Sequence, residues 1–463
     1  MSPYKTEKFD VIIAGTGPAG IFAALELAQH APGMRILLLD KGADLDSRVA
    51  QRSASKESVM DSYLSGWGGA GAFSDGKLNL TPEVGGCLNE YMEEMELLNL
   101  IDYVDSLYLR FGAPKELHGT KRDEIGKIAE AAARYDLKLI PFKIRHLGTD
   151  LCVPVLKKIR DELTGKVEIR LDTCAEEILV DGEKVTGIRT GDGSEIHGKY
   201  VIMAPGRGGA EWLGRVAKSL NLTTLINPVD IGVRVEVPAS VMKDITDVVY
   251  ESKFVFYSKR FDDQVRTFCM NPYGEVIRES SRGMFTVNGH SYSNKRTENT
   301  NFAILVSTLF TEPFHEPIEY GQYIARLANL LGGGVIVQRL GDLMHGRRST
   351  TERIRKGIIS PTLEGATPGD LSFVIPYRYL CDIMEMLEAL DKIAPGVNSR
   401  HTLLYGVEVK FYSMRILLTR ALETQVKNLF AIGDGAGITR GLMQASVSGI
   451  VAARSILKKA GVY

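Results

Sequence analysis

The stretch Phe9-Asp-Val-Ile-Ile-Ala-Gly-Thr-Gly-Pro-Ala-Gly20 decides the fold of this chain. Its first half is a short, nearly continuous apolar run, which is typical of a buried parallel strand. Its second half has the spacing G-x-G-x-x-G, and the small and apolar residues from Pro18 to about Gln29 predict a helix. A second apolar run, Arg35-Ile-Leu-Leu-Leu-Asp40, completes a βαβ unit.

The three glycines predict a dinucleotide-binding turn because they lie between a strand and a helix. Gly15 permits the tight turn, Gly17 lets a pyrophosphate approach the backbone, and Gly20 lets the helix pack on the strand. Pro18 and Ala19 open the helix, where free N–H groups and the helix dipole favour an anion. We therefore expect these five residues to contact the cofactor.

The acid that ends the second strand narrows the choice of nucleotide. Asp40 is placed to accept a ribose hydroxyl, which suits FAD or NAD and disfavours the 2′-phosphate of NADP. Its neighbour Lys41 is expected to contact the same cofactor. The alternative is a glycine-rich turn in some other α/β protein, and the strand–helix context together with the acid weighs against it.

Length and composition set the broad class of the protein. A chain of 463 residues predicts two or three domains, and 44% apolar with 24% charged residues is typical of a globular protein and excludes wholesale disorder. The 56 basic and 57 acidic residues leave a net charge of −1, so we expect neither nucleic acid nor a membrane as a partner.

Cysteines and the N-terminus suggest a reducing compartment. The five cysteines are scattered and form no C-x-x-C, which argues against a disulfide framework, a zinc site and a thioredoxin-type pair, so no metal site is predicted. The first ten residues lack the apolar core of a signal peptide, and no apolar run approaches the ~18 residues of a membrane helix. We expect a cytoplasmic protein.

Two further segments favour FAD over NAD. Tyr200-Val-Ile-Met-Ala-Pro-Gly206 and Leu429-Phe-Ala-Ile-Gly-Asp434 are strands that each end at a small turn. With the N-terminal glycines they resemble the glutathione-reductase-like FAD flavoproteins. The resemblance implies that the turn from Ala204 to Gly206 lies beside the flavin and that Asp434 binds the ribityl chain. A helix that begins near Gly441 would stabilise negative charge on a reduced flavin.

A closer resemblance covers most of the chain. The stretches Gly66–Lys77, Arg266–Gly274 and Val287–Gly289 are similar to those of the bacterial and archaeal FAD-dependent, or NAD(FAD)-utilising, dehydrogenases. This resemblance implies a two-domain FAD protein. Asn271 stands where a second cysteine is common in that family.

The loop from Gly66 to Lys77 carries five glycines between Gly66 and Gly76 and predicts contact with a flat ring, because glycine lets the backbone approach closely. A flexible surface loop is the alternative. The cofactor contacts expected from this loop and from the later β segment are Gly68, Gly69, Ala70, Gly71, Ser74, Lys77 and Ala175.

The pattern of strands and helices predicts an α/β fold of two interleaved domains. A Rossmann-like FAD-binding domain, with a parallel sheet plus a β-meander, is assigned to residues 1–87, 147–225 and 395–463. An inserted α+β substrate domain, or cap, built on an antiparallel sheet is assigned to 88–146 and 226–394.

The expected activity is that of an FAD-dependent oxidoreductase, a dehydrogenase or C=C reductase that acts on a small organic molecule through flavin N5. His290 and Tyr292 are candidate proton donors, and Arg347 is a candidate anion clamp. Two electron donors stay open, NAD(P)H docking transiently and a ferredoxin-like protein. A flavoprotein with non-redox or tRNA-modifying chemistry is the alternative function, and the sequence does not indicate an oligomeric state.

Overall fold

The computed structural model describes residues 7–54, 64–281, 283–291, 295–311, 316–411 and 414–462. The chain divides into two compact units. The first comprises Met1–Glu116, Arg145–Asn227 and Tyr412–Tyr463, and the second comprises Leu117–Ile144 and Pro228–Phe411. The second unit is therefore inserted twice into the sequence of the first.

Helices and strands alternate along most of the chain. The helices are α1 (Pro18–His30), α2 (Leu45–Ala54), α3 (Glu94–Arg110), α4 (Arg122–Ala133), α5 (Gly148–Leu163), α6 (Ala210–Ser219), α7 (Ala239–Thr246), α8 (Pro317–Gly332), α9 (Leu340–Met344), α10 (Thr351–Arg355), α11 (Tyr377–Asp391) and α12 (Leu442–Lys459). The strands are β1 (Glu7–Ala14), β2 (Ile36–Leu39), β3 (Lys77–Leu80), β4 (Lys138–Ile140), β5 (Lys143–His146), β6 (Glu168–Arg170), β7 (Ala175–Asp181), β8 (Lys184–Thr190), β9 (Glu195–Met203), β10 (Thr224–Leu225), β11 (Val229–Pro238), β12 (Lys253–Tyr257), β13 (Gln264–Asn271), β14 (Glu275–Ser281), β15 (Met284–His290), β16 (Asn299–Thr308), β17 (Ile336–Arg339), β18 (Thr367–Pro368), β19 (Leu403–Lys410), β20 (Arg415–Ile416) and β21 (Leu429–Ala431). Within the described residues, none of the helices combines the length and the apolar character needed to cross a membrane.

The first unit is built on a seven-stranded sheet. Four neighbouring strands, in the order β6-β2-β1-β9, are parallel, and β21 also runs parallel to β9. Strands β7, β8 and β9 form an antiparallel meander at the edge of this sheet. Most of β1 and all of β2 are buried and apolar, because a parallel sheet is covered on both faces. This arrangement is the predicted Rossmann-like sheet with its meander.

Helix α3 belongs to the first unit because it packs on the helices that cover this sheet. Tyr108 of α3 hydrogen-bonds Ser446 of α12 at 3.0 Å, and its ring lies 4.9 Å from that of Phe22 in α1. Tyr103 donates a hydrogen bond to the buried carboxylate of Glu26 at 2.7 Å. Residues 88–116, which the sequence analysis assigns to the cap, therefore lie in the first unit.

The second unit is built on an eight-stranded sheet, in the order β18-β17-β19-β11-β16-β13-β12-β4, and every neighbouring pair except β17 with β18 is antiparallel. One face of its central strand β11 carries Ile231, Val233 and Val235, which join an apolar core with helices α7, α8 and α11. Alternate residues of β11 are polar, among them Arg234 and Glu236, and they are equally buried. The predicted antiparallel sheet is thus confirmed, but one of its faces is polar.

The C-terminal boundary of the second unit also differs from the predicted one. Residues 395–411, assigned by the sequence analysis to the FAD-binding domain, lie in the second unit. The reason is strand β19, which pairs with β11 on one side and with β17 on the other. The glycine-poor, apolar sequence of this strand does not reveal which sheet it joins.

A buried acid in the second unit makes its stability depend on pH. Asp382 of α11 has no exposed side-chain surface, and burial followed by the neighbouring Asp263 raises its pKa to about 6. Unfolding releases this proton between the ordinary pKa of 3.8 and about 6, so the free energy of unfolding falls as the pH rises through this window.

We expect Asp382→Asn to raise the Tm at pH 8 by about 2–6 °C, because the neutral amide avoids the cost of burying a charge. The gain should vanish below about pH 4, where Asp382 is protonated in both states. Thermal unfolding at both pH values measures this difference, with the exposed Glu388→Gln on the same helix as the matched control. A gain of the same size at pH 4 would contradict the assignment.

Candidate functional site

Four segments of the first unit meet at the first turn of α1. Gly15 has a φ of +122°, and a Cβ there would lie 2.0 Å from the carbonyl oxygen of Ala204. A Cβ at Gly20 would lie 1.9 Å from the carbonyl oxygen of Gly15. Both positions therefore require glycine for close packing of the turn, the helix and the end of β9.

Gly17 differs from these two glycines, because a Cβ there would meet no atom within 4 Å. It is the N-cap of α1, and its backbone donors are not capped by a side chain in the described structure. The first turn, Pro18-Ala-Gly-Ile21, carries no acidic residue that would compete for the free N–H groups. The helix N-terminus is thus open on the side where an anion binds best, which fits a pyrophosphate.

Asp40 joins three segments through one carboxylate. Its Oδ2 accepts hydrogen bonds from the backbone N–H of Thr16 at 2.8 Å and from the Thr16 hydroxyl at 2.9 Å. Its Oδ1 accepts from the backbone N–H of Gly42 at 2.9 Å and of Gly66 at 2.7 Å. A carboxylate has roughly four lone-pair positions, and these four hydrogen bonds use them. Asp40 therefore holds protein segments together, whereas the sequence predicts that its carboxylate accepts a hydrogen bond from a ribose hydroxyl.

Arg48 holds the loop that Asp40 anchors. Its buried guanidinium donates to the carbonyl oxygen of Trp67 at 2.5 Å and to that of Gly69 at 2.9 Å, and it lies 4.9 Å from the ring of Phe73. Burial lowers the pKa of Arg48 to about 10, although Asp40 acts to raise it. The guanidinium therefore stays charged at neutral pH.

The glycine-rich loop packs directly against the turn before α1. The N–H of Gly68 donates to the carbonyl oxygen of Thr16 at 2.8 Å, and a Cβ at Gly69 would lie 3.0 Å from the Cα of Gly17. A Cβ at Gly71 would lie 3.2 Å from Pro18. Most residues from Gly66 to Ala72 are buried, so this part of the chain is not the flexible surface loop considered as the alternative.

Two polar side chains of the same loop have partners within it. The Ser74 hydroxyl donates to the carbonyl oxygen of Gly71 at 3.0 Å and accepts from the N–H of Gly76 at 3.2 Å. The buried ammonium of Lys77 lies 3.1 Å from the carboxylate of Asp75. Both residues therefore lie at the end of the glycine-rich loop. The hydrogen bonds of Ser74 indicate that it stabilises the turn from Gly71 to Gly76.

The C-terminal segment completes a cradle around the first turn of α1. This cradle consists of the glycine turn at Gly15, the loop from Gly66, the turn at Gly206 and the turn at Gly433. A Cβ at Gly433 would lie 2.9 Å from the Cβ of Ala19, and one at Gly435 would lie 2.7 Å from the carbonyl oxygen of Gly206. Asp434 lies between these glycines, and its carboxylate accepts a hydrogen bond from Thr439 at 2.7 Å. Helix α12 then begins after Gly441, which has no capping side chain in the described structure.

A cleft of about 260 Å³ opens at the carboxyl ends of β1 and β2. Ligands of open α/β sheets bind at this end of the strands. Residues next to or within the meander and α6 line it together with Asp40 and Lys41. Of these the sequence predicts only Ala175, and not Thr173, Cys174, Glu176, Glu211, Trp212 and Arg215. Nothing in the local pattern marks these residues, because they line the cleft only once the meander and α6 are folded beside the ends of β1 and β2.

The candidate catalytic residues belong to the second unit and have different partners. His290 ends β15, and its backbone pairs with Glu275 of β14. Arg347 donates from Nε to the buried carboxylate of Asp342 at 2.9 Å. Although burial acts to raise the pKa of Asp342, hydrogen bonds from Arg339, Ser349 and Arg347 lower it to about 2. Arg347 therefore pairs with Asp342, although its side chain is half exposed, and Tyr292 lies outside the described residues.

Residues 228–411, the larger segment of the second unit, match a family model described as "FAD-dependent protein, C-terminal domain-like". An uncharacterized protein of Clostridium beijerinckii (strain ATCC 51743 / NCIMB 8052) is 27% identical to this chain, and the alignment covers 97% of this chain and 80% of the relative.

Solved structures of similar architecture include E. coli quinol fumarate reductase FrdA, with a TM-score of 0.44, 13% identity and coverage of 99% of this chain and 71% of that chain. Glycine oxidase from Geobacillus kaustophilus has a TM-score of 0.40, 12% identity and coverage of 98% and 95%. L-proline dehydrogenase from P. horikoshii has a TM-score of 0.39, 13% identity and coverage of 98% and 95%. Scores this low carry no argument about a substrate.

The glycine turn, the open N-terminus of α1 and the cleft beside it fit the pyrophosphate and adenosine of a dinucleotide. The family match of the second unit is to FAD-dependent proteins. The family match supports FAD as the cofactor of this chain, and the first unit offers a candidate site for it.

Replacing Asp40 tests how the cradle is held. In Asp40→Asn the amide N–H₂ faces either the N–H of Thr16 or those of Gly42 and Gly66, which removes at least one charge-assisted hydrogen bond worth about 1.5–3 kcal/mol. We expect FAD affinity to fall at least about tenfold in a titration of the apoprotein followed by flavin fluorescence, because part of the binding energy must reorder the loop.

Asp10→Asn is the matched control, since Asp10 lies on the neighbouring strand β1 and its carboxylate accepts a hydrogen bond from the backbone N–H of Arg35 at 2.9 Å. It should bind FAD like the unaltered protein. Equal affinities for all three proteins would show that the four hydrogen bonds of Asp40 do not shape the site.

Proposed function

We propose that this FAD-dependent oxidoreductase acts on a small organic molecule as a dehydrogenase or a C=C reductase. The observation that supports the proposal is the convergence of the glycine turn, the loop from Gly66 to Lys77, the turn at Gly206 and the turn at Gly433 on the first turn of α1. These segments lie far apart in the sequence, and an extended nucleotide cofactor is the ligand that would contact all of them.

We also propose that the first unit is of the glutathione-reductase-like type. The parallel sheet carries a meander after the first βαβ unit, and β21 returns beside β9 to end at Gly433 and Asp434. In this proposal the N-terminus of α1 holds the pyrophosphate, the cleft beside Asp40 holds the adenosine, and Asp434 holds the ribityl chain. Bound FAD supplies hydride or electron transfer at its N5.

The chain itself would position and shield this cofactor. The buried run from Gly66 to Ala72, held by Asp40 and Arg48, keeps water from one side of the cradle. The N–H groups at the start of α12, which no side chain caps among the described residues, would stabilise an anion in their neighbourhood. His290 stays our candidate for holding a proton to be delivered to the substrate, with Tyr292 as the other.

A tRNA-modifying activity is not proposed. The basic residues that would favour it include Arg347 and Arg353, which both lie within ion-pair distance of Asp342. The 56 basic residues of the chain are outnumbered by 57 acidic ones, so the chain carries no net positive charge to attract a nucleic acid.

We further propose that reduction does not involve a tightly bound nicotinamide, and that the donor is either NAD(P)H docking transiently or a ferredoxin-like protein. Anaerobic stopped-flow with NADH, NADPH and reduced ferredoxin measures bleaching of the flavin. With a transient nicotinamide, the rate should rise in proportion to its concentration without saturating in the micromolar range.

Reoxidation of the bleached protein by an unsaturated or oxidised small molecule would complete the cycle and identify the acceptor. Saturation at micromolar NAD(P)H would contradict the proposed mode of reduction. If no donor and no organic substrate changes the redox state of the flavin, the result would contradict the proposal that this protein is an oxidoreductase.

A further inference from the structure

Trp212 of α6 lines the cleft at the carboxyl ends of β1 and β2. Among the described residues that line this cleft, it is the only aromatic one. Its side chain is partly exposed, although it also packs against the apolar core of the first unit. A large aromatic ring in the wall of an open cleft is typical of a site that binds a flat, largely apolar group.

One hydrogen bond fixes the orientation of this indole. Its Nε1 donates to the carbonyl oxygen of Glu176 in β7 at 2.8 Å. An indole has no second polar group, so the rest of the ring is available only for apolar and stacking contacts. The side chain is therefore held as a plate in the wall of the cleft and is not free to turn its N–H towards a ligand.

The walls beside the indole carry small residues. Ala14 and Gly15 line the cleft at the end of β1, and Ala175 lines it at the start of β7. Gly208 and Gly209 line it on the side of α6. These residues leave a volume of about 260 Å³ open next to the ring, because none of them has a side chain larger than a methyl group.

The charged residues of the cleft indicate which part of FAD suits it. Lys41 and Arg215 are the cations among its described lining residues, and Asp40, Glu176 and Glu211 are the acids. With two cations against three acids the cleft has no positive excess, so it disfavours a phosphate but not a neutral base. The N-terminus of α1, which no side chain caps in the described structure, favours the pyrophosphate instead.

We propose, on the basis of the FAD site proposed above, that Trp212 is the platform on which the adenine ring of FAD stacks. Stacking of a base on an aromatic side chain contributes to binding without any hydrogen bond to the base. Loss of the indole should therefore weaken the binding of FAD and of ADP, which contains the same base.

The two tryptophans of the chain allow this contact to be observed by fluorescence. Trp67 is fully buried, and its Nε1 donates to the carbonyl oxygen of Leu156 at 3.1 Å, so its emission should not respond to a ligand in the cleft. ADP is the probe, because unlike a flavin it absorbs neither the exciting light nor the emission of tryptophan. Quenching by ADP therefore reports contact with an indole and not energy transfer.

We expect ADP to quench the emission of Trp212 when it is added to the full-length protein freed of FAD. Trp212→Phe should lose this quenching, although ADP still displaces FAD from the variant. Trp67→Phe should retain it. Quenching of the same size in Trp212→Phe, or no quenching of an unaltered protein from which ADP displaces FAD, would overturn the proposal.

FAD affinity measures how much the stacking contributes. Trp212→Ala should bind FAD at least about fivefold more weakly, and Trp212→Phe should recover most of this loss because it keeps an aromatic ring. Lys218→Ala is the matched control, since Lys218 is exposed on the same helix and is not among the residues that line the cleft. Circular dichroism checks the fold of each variant.

The outcomes separate this inference from the proposed function. Equal FAD affinities of Trp212→Ala and the unaltered protein would refute the stacking role of Trp212, while FAD would remain the cofactor. An unaltered protein that binds no FAD would overturn both proposals. The quenching by ADP stands as a test even if Trp212→Ala fails to fold, because it is measured in the unaltered protein.

Discussion

The carboxylate of Asp40 accepts four hydrogen bonds from three separate segments, and the candidate cofactor site of the first unit depends on this one group. Without it, two parallel strands and a helix would still form, because their apolar residues are buried by the sheet itself. The loop has a weaker driving force of this kind, since the residues from Gly66 to Ala72 are glycine and alanine apart from the buried Trp67. A buried charge that is paired by hydrogen bonds can hold it in place, because leaving that charge unpaired is costly.

Arg48 is a second buried charge that holds the same loop through hydrogen bonds. The guanidinium binds two carbonyl oxygens of the loop, so an acid at one end and a base at the other fix the backbone between them. The glycines then perform a different task, which is to let backbone segments approach within contact distance. In the second unit, Arg234 and Glu408 hold the backbone of Cys269 in a comparable way, again with a charged pair buried on the polar face of a sheet. Both units thus use buried ion networks to stabilise irregular backbone next to regular strands.

Much of this architecture follows from local patterns. The apolar runs at Phe9 and Arg35, the glycine spacing at Gly15 and the closing strand at Leu429 predict their elements within one or two residues, because each pattern is contained in a few neighbouring positions. The partners of Asp40 and Arg48 in the loop from Gly66 are not predictable in this way, since they lie 19 to 26 residues away in a stretch without periodicity. Strand β19 was assigned to the other domain because an apolar strand does not show which sheet it joins. Arg347 illustrates the same limit, because its role depends on the buried Asp342.

We propose that the first unit binds FAD, with the pyrophosphate at the turn before α1 and the adenosine in the cleft beside it. This can be tested by denaturing the natively purified protein and identifying the released nucleotide by chromatography. We expect FAD, released at one molecule per chain. Release of FMN, which lacks the adenosine and one phosphate, or of no flavin at all from protein purified or reconstituted with excess FAD, would contradict it.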